Sequence, residues 1–286
     1  MDAASFPWWV WPIALFAVSF AIGIVAVLAG VGGGVLFVPI VGSFFPFHLD
    51  FVRGAGLLFA LAGTLAAGPL LLSSGMASLR LIIPLALAGS VTSFAGALVG
   101  LSMSTAVIQT SLGATVIAIA LLIWRSKEAY GAGVVESDVL GAALRMRGKY
   151  DDPAEGVRID WRTHRTVAGF ASFGAIGFLG GMFGLGAGFA NVPALNLLMA
   201  APLKVAIGSS GMIISVINSS AAWVYIHRGA VLPLLVVPAI LGVMLGSRIG
   251  ARLLSSTPAT TVRRLVIAVL LVAGLRALLR GLGLWN

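Results

Sequence analysis

The sequence contains no cysteine and is poor in charge. With no cysteine in 286 residues, disulfides, thiol chemistry and cysteine-ligated metals are excluded. Charged residues make up 9% of the chain, far below the roughly 25% of soluble proteins. The apolar segments hold no HExxH motif, no Ser/His/Asp set and no pair of carboxylates. We therefore expect neither an enzyme nor a bound cofactor or metal.

Apolar residues dominate instead, at 59% of the chain. No soluble core uses that much apolar surface, so the composition predicts an all-α polytopic membrane protein. Long uncharged runs, rather than alternation every second residue, favour helices over a barrel. The net charge of +9 is interpreted as loop Lys and Arg that set topology and contact anionic lipid, not as a nucleic-acid surface.

Acidic residues are almost confined to one stretch. Of nine Asp and Glu, seven lie in the polar segment 126–165, and only Asp2 and Asp50 lie elsewhere. Cations and protons inside membranes are usually held by carboxylates, so a cation permease is disfavoured. Arg53 and Arg248 remain near the apolar segments and favour an anion, although either side chain could merely extend to the membrane surface.

The chain contains the same pattern twice, at a separation of 154 residues. The glycines and proline of GVGGGVLFVP recur in GLGAGFANVP, as Gly30, Gly32, Gly34 and Pro39 and then as Gly184, Gly186, Gly188 and Pro193. A duplicated apolar unit, interrupted by Gly and Pro at matching positions, is typical of transporters whose site lies between the two halves.

This repeat divides the chain into a first transmembrane repeat (1–125), a polar linker (126–165) and a second transmembrane repeat (166–286). Each half contains four apolar segments long enough to span a membrane. Two shorter pieces, 34–47 and 188–201, follow the glycine clusters and are interpreted as half-helices, either re-entrant or parts of broken helices. A short amphipathic helix is also expected near 139–146.

The short pieces decide the topology. If they do not cross the membrane, the repeats have four spans each and are parallel. If they cross, the repeats have five spans each and are inverted. The distribution of Lys and Arg favours inverted repeats, with the linker in the cytoplasm and the N-terminus outside. Trp8, Trp9 and Trp11 then anchor a retained first helix at the interface.

The glycine clusters are the candidate substrate-binding element. A run such as Gly30–Gly34 unwinds a helix, and the helix that restarts after it presents free N–H groups and a positive dipole end. Gly32, Gly33, Gly34, Gly186 and Gly188 are therefore predicted to bind an anion, with Pro39 and Pro193 as kink or gating positions. The alternative is close helix packing, which is the interpretation for Gly96, Gly100, Gly242 and Gly246.

The two copies differ in polarity. Phe37, Thr64, Ala55 and Gly56 of the first copy correspond to Asn191, Asn218, Ser209 and Ser210 of the second. Polar groups are costly against lipid, so Asn191, Ser209, Ser210, Asn218 and Thr64 are predicted to face the interior and bind substrate, with Arg53 and Arg248 as further candidates. His48 and Asp50 are candidates for proton coupling, although either could be an ordinary loop residue.

The doubled glycine-proline motif and the polar central linker resemble the TauE/SafE sulfite exporter family of bacterial permeases. Gly32–Gly34 with Pro39 match the first motif, and Gly184, Gly186, Gly188 and Pro193 match the second, with Ala187 as a departure. The resemblance covers about 10–125 and 166–281. It implies export of sulfite, sulfoacetate or a related sulfonate across the bacterial inner membrane.

Several functions stay open at this stage. The leading hypothesis is a secondary transporter of small anions that works by alternating access of the two repeats. An uncoupled anion channel or uniporter, or a permease for another small organic anion, is the alternative. The candidate partners are the anion, the lipid bilayer, a proton as coupling ion and a second copy of the chain in a homodimer.

Overall fold

The computed structural model describes residues 7, 9–29, 33–73, 76–125, 136–152, 157–185, 188–253 and 259–284. The first half contains α1 (Val10–Ala29), α2 (Gly33–Phe44), α3 (Leu49–Ser73), α4 (Leu79–Ser102) and α5 (Thr105–Arg125). Between the halves lie α6 (Val139–Ala143), β1 (Arg147–Asp152) and β2 (Val157–Arg162). The second half contains α7 (Thr166–Phe183), α8 (Gly188–Pro193), a π-helical turn (Ala194–Leu198), α9 (Leu203–His227), α10 (Pro233–Leu253) and α11 (Ala259–Gly281).

The predicted all-helical membrane architecture is confirmed. All eight predicted long segments are helices, because a helix pairs every backbone group within its own segment, as lipid requires. Six of them, α1, α3, α4, α7, α9 and α10, are long and apolar enough in their described residues to cross a membrane. Large apolar side chains such as Val91, Leu87 and Leu241 are exposed on their outer faces, where lipid would cover them.

The two segments after the glycine clusters are short helices that differ from one another. α2 has 12 residues and runs through Pro39. α8 ends at Pro193, and the chain then widens into the π-helical turn. Proline has no N–H to donate and clashes with the carbonyl four residues before it, which is consistent with the wider turn.

The two halves interlock through matching interfaces. α1 packs against α10, and its counterpart α7 packs against α4; likewise α3 contacts α10, and α9 contacts α4. Small residues permit these approaches, since a Cβ on Gly246 would collide with the carbonyl of Phe20 and one on Gly96 with that of Phe178. The predicted packing role of these glycines is confirmed.

Corresponding helices of the two halves run antiparallel where they touch. Gly54, near the start of α3, lies against Ala230 just after the end of α9, whereas Thr64, ten residues later on α3, lies against Gly211 of α9. Direct contact between α5 and α11 is also antiparallel, since Gly281 approaches Thr110 while Gly274 approaches Ile117. Parallel repeats would make corresponding spans run in the same direction, so the packing supports the inverted arrangement.

The described parts of the linker, 136–152 and 157–165, are folded and pack on the bundle. Its strands β1 and β2 form an antiparallel hairpin in which Arg147 pairs with Arg162. Met146 and Trp161 are buried in a cluster with Leu81, Leu85 and Phe173, at the starts of α4 and α7. We call this end of the bundle the linker end and the opposite end, where α3 begins, the far end. The predicted helix near 139–146 is present but is shorter, as α6.

One carboxylate ties the linker to the bundle. Asp138 accepts hydrogen bonds from the amide of Gly141 at 3.2 Å, the hydroxyl of Thr166 at 2.6 Å and the amide of Thr166 at 2.8 Å. Partial burial of Asp138 opposes its ionisation, but these bonds outweigh that effect and hold its pKa below the ordinary value of 3.8. Asp138 therefore caps both α6 and α7.

Candidate functional site

The glycine breaks of the two halves meet. A Cβ on Gly34, at the start of α2, would overlap the carbonyl of Leu185, and one on Gly56 would lie 2.7 Å from the carbonyl oxygen of Gly184. Gly184 itself adopts φ +67°, in the left-handed region that glycine reaches without strain. The two glycine breaks thus come together at the contact between the halves, although Gly32 and Gly186 lie outside the described residues.

These contacts give the glycines a packing role as well. Gly34 leaves no room for a side chain against the other half, and a Cβ on Gly33 would collide with the ring of Phe59. That ring stacks on Phe37, with ring centroids 4.6 Å apart. At the same time, α2 begins at Gly33 and α8 begins at Gly188, so N-terminal amides of helices lie near the contact between the halves.

The buried polar side chains of α8, α9 and the turn between them divide into two sets. Asn196 donates to the carbonyl of Ala201 at 2.8 Å, and the hydroxyl of Ser209 accepts from the amide of Ser78 at 3.1 Å. In contrast, the side chains of Asn191, Ser210 and Asn218 are 0% exposed and form no hydrogen bond within the described part of the chain. We call these three residues the unpaired polar cluster, since all lie on the packed pair α8 and α9.

A cavity lies between the halves, among α1, α2, α3, α9 and α10. Its volume is about 40 Å³, measured as the space open to the centre of a water-sized sphere. A single water needs roughly 10 to 15 Å³ by that measure, so the cavity has room for a few waters or for a chemical group of similar size. Gly33, Thr64, Leu71, Ile207 and Ser247 are among its lining residues.

Two of the predicted site residues, Thr64 and Gly33, line the cavity. The hydroxyl of Thr64 donates to the carbonyls of Ala60 at 2.9 Å and Leu61 at 3.0 Å, which leaves its lone pairs facing away from the helix backbone. Arg248, in contrast, has an exposed side chain. This exposure separates Arg248 from the buried candidates, which likewise lie outside the cavity lining: Arg53, Asn191, Ser209, Ser210 and Asn218.

Arg53 is fully buried, at 1% exposure, and is held by protein groups. Its guanidinium donates to a carboxylate oxygen of Asp50 at 2.8 Å, to the carbonyl of Gly100 at 3.3 Å and to the carbonyl of Met182. Its Cζ lies 5.3 Å from the ring centroid of Tyr225. Because Gly100 and Met182 lie in the last turns of α4 and α7, Arg53 compensates the negative ends of two helices.

His48 and Asp50 stand together at the far end. The Nδ1 atom of His48 is 3.6 Å from a carboxylate oxygen of Asp50, and both side chains are partly exposed. Asp50 links this histidine to the buried Arg53, so the two proton-coupling candidates lie beside the buried charge. Among the described residues no group of three His, Cys, Asp or Glu is placed to hold a metal.

Sequence reasoning missed three residues at this site. Tyr225 is 0% exposed and donates to the carbonyls of Gly181 at 3.2 Å and Met182 at 3.3 Å. Ser93 and Ser247 are both buried, and they are each other's counterparts at the 154-residue spacing. A residue-by-residue comparison of the two copies would have found these residues. It aligns Ser93 with Ser247, and it aligns Tyr225 with the apolar Leu71.

Comparison with known proteins adds the following. The sequence model of the family described as "Sulfite exporter TauE/SafE" matches residues 15–277. The chain is also similar to the "Probable membrane transporter protein YunE" of Bacillus subtilis (strain 168), at 29% identity over 120 residues. That similarity spans 42% of this chain and 44% of the relative, so less than half of either is covered. No solved structure matches the chain.

Proposed function

The chain belongs to the TauE/SafE sulfite exporter family, and we propose that it exports a small sulfur-containing anion by alternating access of its two halves. Family membership and the apolar helices make it a multi-pass membrane transporter, of the inner membrane in bacteria. The proposal concerns the finer points: the anion, the direction, the coupling and the residues that bind.

The observation that carries the proposal is the unpaired polar cluster. A buried amide or hydroxyl without a hydrogen bond costs about 1 to 3 kcal/mol, so three such groups on the packed pair α8 and α9 favour a partner from outside the chain over a purely structural role. The oxygens of a sulfite or sulfonate can accept from the amides of Asn191 and Asn218 and from the hydroxyl of Ser210. Sulfite, sulfoacetate and related sulfonates are the proposed substrates.

Charge supports an anion over a cation. Within the described membrane helices the fully buried charged side chain is Arg53, and Asp50 beside it is already paired with that guanidinium. The surroundings of the cavity are apolar side chains, hydroxyls and glycines, with no carboxylate among the lining residues. A cation in this environment would pay the cost of desolvation without a partner.

The test is flux into proteoliposomes that contain the purified chain. We expect uptake of labelled sulfite or sulfoacetate above empty liposomes, and a higher unfolding temperature with the transported anion than with taurine or a simple carboxylate. A transporter coupled to protons should respond to an imposed pH gradient, whereas an indifferent flux would indicate the uniporter. Movement of cations with no anion flux would contradict the proposal.

Binding variants should avoid the glycine breaks. A Gly34→Val variant, the direct test of the glycine motif, would also collide with Leu185, so lost transport would report damaged packing. Substitutions in the unpaired polar cluster add no volume against the other half and test the substrate contacts directly.

A further inference from the structure

The cavity has a counterpart in the other half of the molecule. The 154-residue spacing relates each residue of one half to one residue of the other, and it pairs the cavity-lining Ile207 with Arg53 and Leu71 with Tyr225. It also pairs Thr64 with Asn218 and Ser247 with Ser93. The region around Arg53 and Tyr225 is therefore the repeat-related counterpart of the cavity, built from the corresponding positions of the opposite halves.

That counterpart region is filled. Arg53 and Tyr225 are almost completely buried, whereas Ile207 and Leu71 border open space. The guanidinium of Arg53 packs over the ring of Tyr225. These two large side chains fill their region, whereas the smaller Ile207 and Leu71 leave the cavity open at the corresponding positions. Asn218 is also buried there, with its amide unpaired.

The two regions lie at different depths. α3 begins at the far end, so Arg53 lies nearer that end than Thr64 and Leu71 do, and α9 runs the opposite way and brings Tyr225 beside Arg53. Open space thus lies toward the linker end, and packed side chains lie toward the far end.

We propose that Arg53 and Tyr225 form the gate that closes the far end of the transport pathway while the cavity at the linker end is open. This inference rests on the proposed function, since a gate needs a pathway. The gate is bonded to elements of both halves: Arg53 to Asp50 on α3, to Gly100 on α4 and to Met182 on α7, and Tyr225 to Met182 as well. Opening the far end breaks these bonds together.

The chain's freedom from cysteine makes the test direct. One reporter cysteine is placed at Ala67, which lines the cavity, and its matched partner is placed at Ala221, the counterpart of Ala67 at the 154-residue spacing. A charged, membrane-impermeant methanethiosulfonate is applied to vesicles of known orientation. We expect Ala67→Cys to react from the linker side and Ala221→Cys to be protected from both sides.

The gate is then removed by giving it the residues of the open region, Arg53→Ile with Tyr225→Leu. In this variant Ala221→Cys should react from the far side about tenfold faster than before, while the reaction of Ala67→Cys is unchanged. An unchanged rate at Ala221→Cys in a variant that stays monodisperse would overturn the gate.

Tyr225→Leu alone guards against misfolding of the double variant, because it leaves the hydrogen bonds of Arg53 to Asp50, Gly100 and Met182 in place. Here we expect about a threefold faster reaction at Ala221→Cys, and no change would overturn the proposal. None of these measurements requires a transported substrate. Failure to transport sulfite or sulfoacetate would therefore count against the proposed function. The gate would still be tested by the labelling rates of Ala67→Cys and Ala221→Cys.

Discussion

Asn191 and Asn196 lie five residues apart in the same short stretch of the second half, yet their amides have opposite surroundings. The amide of Asn196 holds the carbonyl of Ala201 and helps to end the π-helical turn. The amide of Asn191 is buried without a hydrogen bond among the described residues. Asn196 therefore stabilises the fold, whereas Asn191 makes no such contribution and is the residue for which we propose an anion contact.

This difference gives a paired prediction. Asn191→Leu and Asn218→Leu should each weaken sulfonate or sulfite binding about tenfold and leave the free energy of unfolding equal or higher, because no protein hydrogen bond is lost. Asn196→Leu should instead lower that free energy by about 1 to 3 kcal/mol, because it leaves a buried carbonyl unpaired. Binding by titration and unfolding in denaturant separate the two. A loss of stability in Asn191→Leu would make that residue structural.

The residues of the site were only partly predictable. The differences between the two copies drew attention to Asn191, Ser210, Asn218 and Thr64, because polar groups are costly against lipid and were therefore predicted to face the interior. The exposure of Arg248 could not be predicted from the sequence, because a single charge near the end of a span does not show whether its side chain faces the interior or the surface. Whether any of these residues binds substrate stays a prediction.

Among the elements, α7 offers a controlled test of how the halves interlock. It carries several glycines, and a Cβ on Gly181 would collide with the carbonyl of Ser93 on α4. A Cβ on Gly174 would meet only a methyl group of Thr92, at 3.8 Å. The first position is a contact between halves, and the second has room.

We expect Gly181→Ala to lower the free energy of unfolding by about 1 to 3 kcal/mol, because the backbones of α7 and α4 must separate. Gly174→Ala should be neutral or stabilise by up to about 1 kcal/mol, as glycine is the weaker helix former. Thermal or denaturant unfolding of the two variants measures the difference. Equal effects would mean that the close approach of α4 and α7 does not matter to stability.

The junction between α6 and α7 should depend on pH. The folded-state pKa of Asp138 is lowered, so its contribution to stability is present above the ordinary value of 3.8 and is lost as pH falls through the folded value. Asp138→Asn should therefore destabilise the protein at pH 7 and differ little from the unchanged chain at strongly acidic pH. Asp160→Asn is the control, because Asp160 is well exposed and pairs with Lys149 at only 3.6 Å. Unfolding measured from pH 7 down to strongly acidic pH gives the comparison, and a constant difference over that whole range would refute the capping role.

The elements were more predictable than the residues. Span length and apolarity are set by the thickness of the bilayer, so all eight long segments could be read directly. The hairpin β1–β2 could not, because its strands RGKYDD and VRIDWR are mostly charged, and among the strand side chains whose burial is described only Trp161 is buried. The π-helical turn after Pro193 also has no distinctive pattern, as Pro39 occupies the same place in a continuous α2.

For the bundle as a complete unit, the antiparallel contacts of α3 with α9 and of α5 with α11 favour five crossings in each half. Inverted repeats place the linker and the turn after α9 on opposite sides of the membrane, whereas parallel repeats place both in the cytoplasm. The sequence left this choice to the count of Lys and Arg, and the packing directions now support the same answer from independent observations.

Single cysteines in the two segments test the topology. Glu136→Cys in the linker should react only with a reagent that reaches the cytoplasmic face, and Arg228→Cys after α9 should react only from outside. Both side chains are exposed, so accessibility is not limited by packing. Labelling of both positions from the cytoplasm would favour the parallel arrangement.

The packing of α1 against α10 also means that an early helix of the chain can be covered only late in synthesis. The face of α1 that packs on the glycines of α10 waits until about 220 more residues have been made before α10 can cover it, which is roughly 10 to 45 s of synthesis. During that interval α1 is held in the membrane by lipid or by an insertion chaperone. A chain truncated before α10 should therefore be inserted but unprotected, and should be degraded faster than the complete protein.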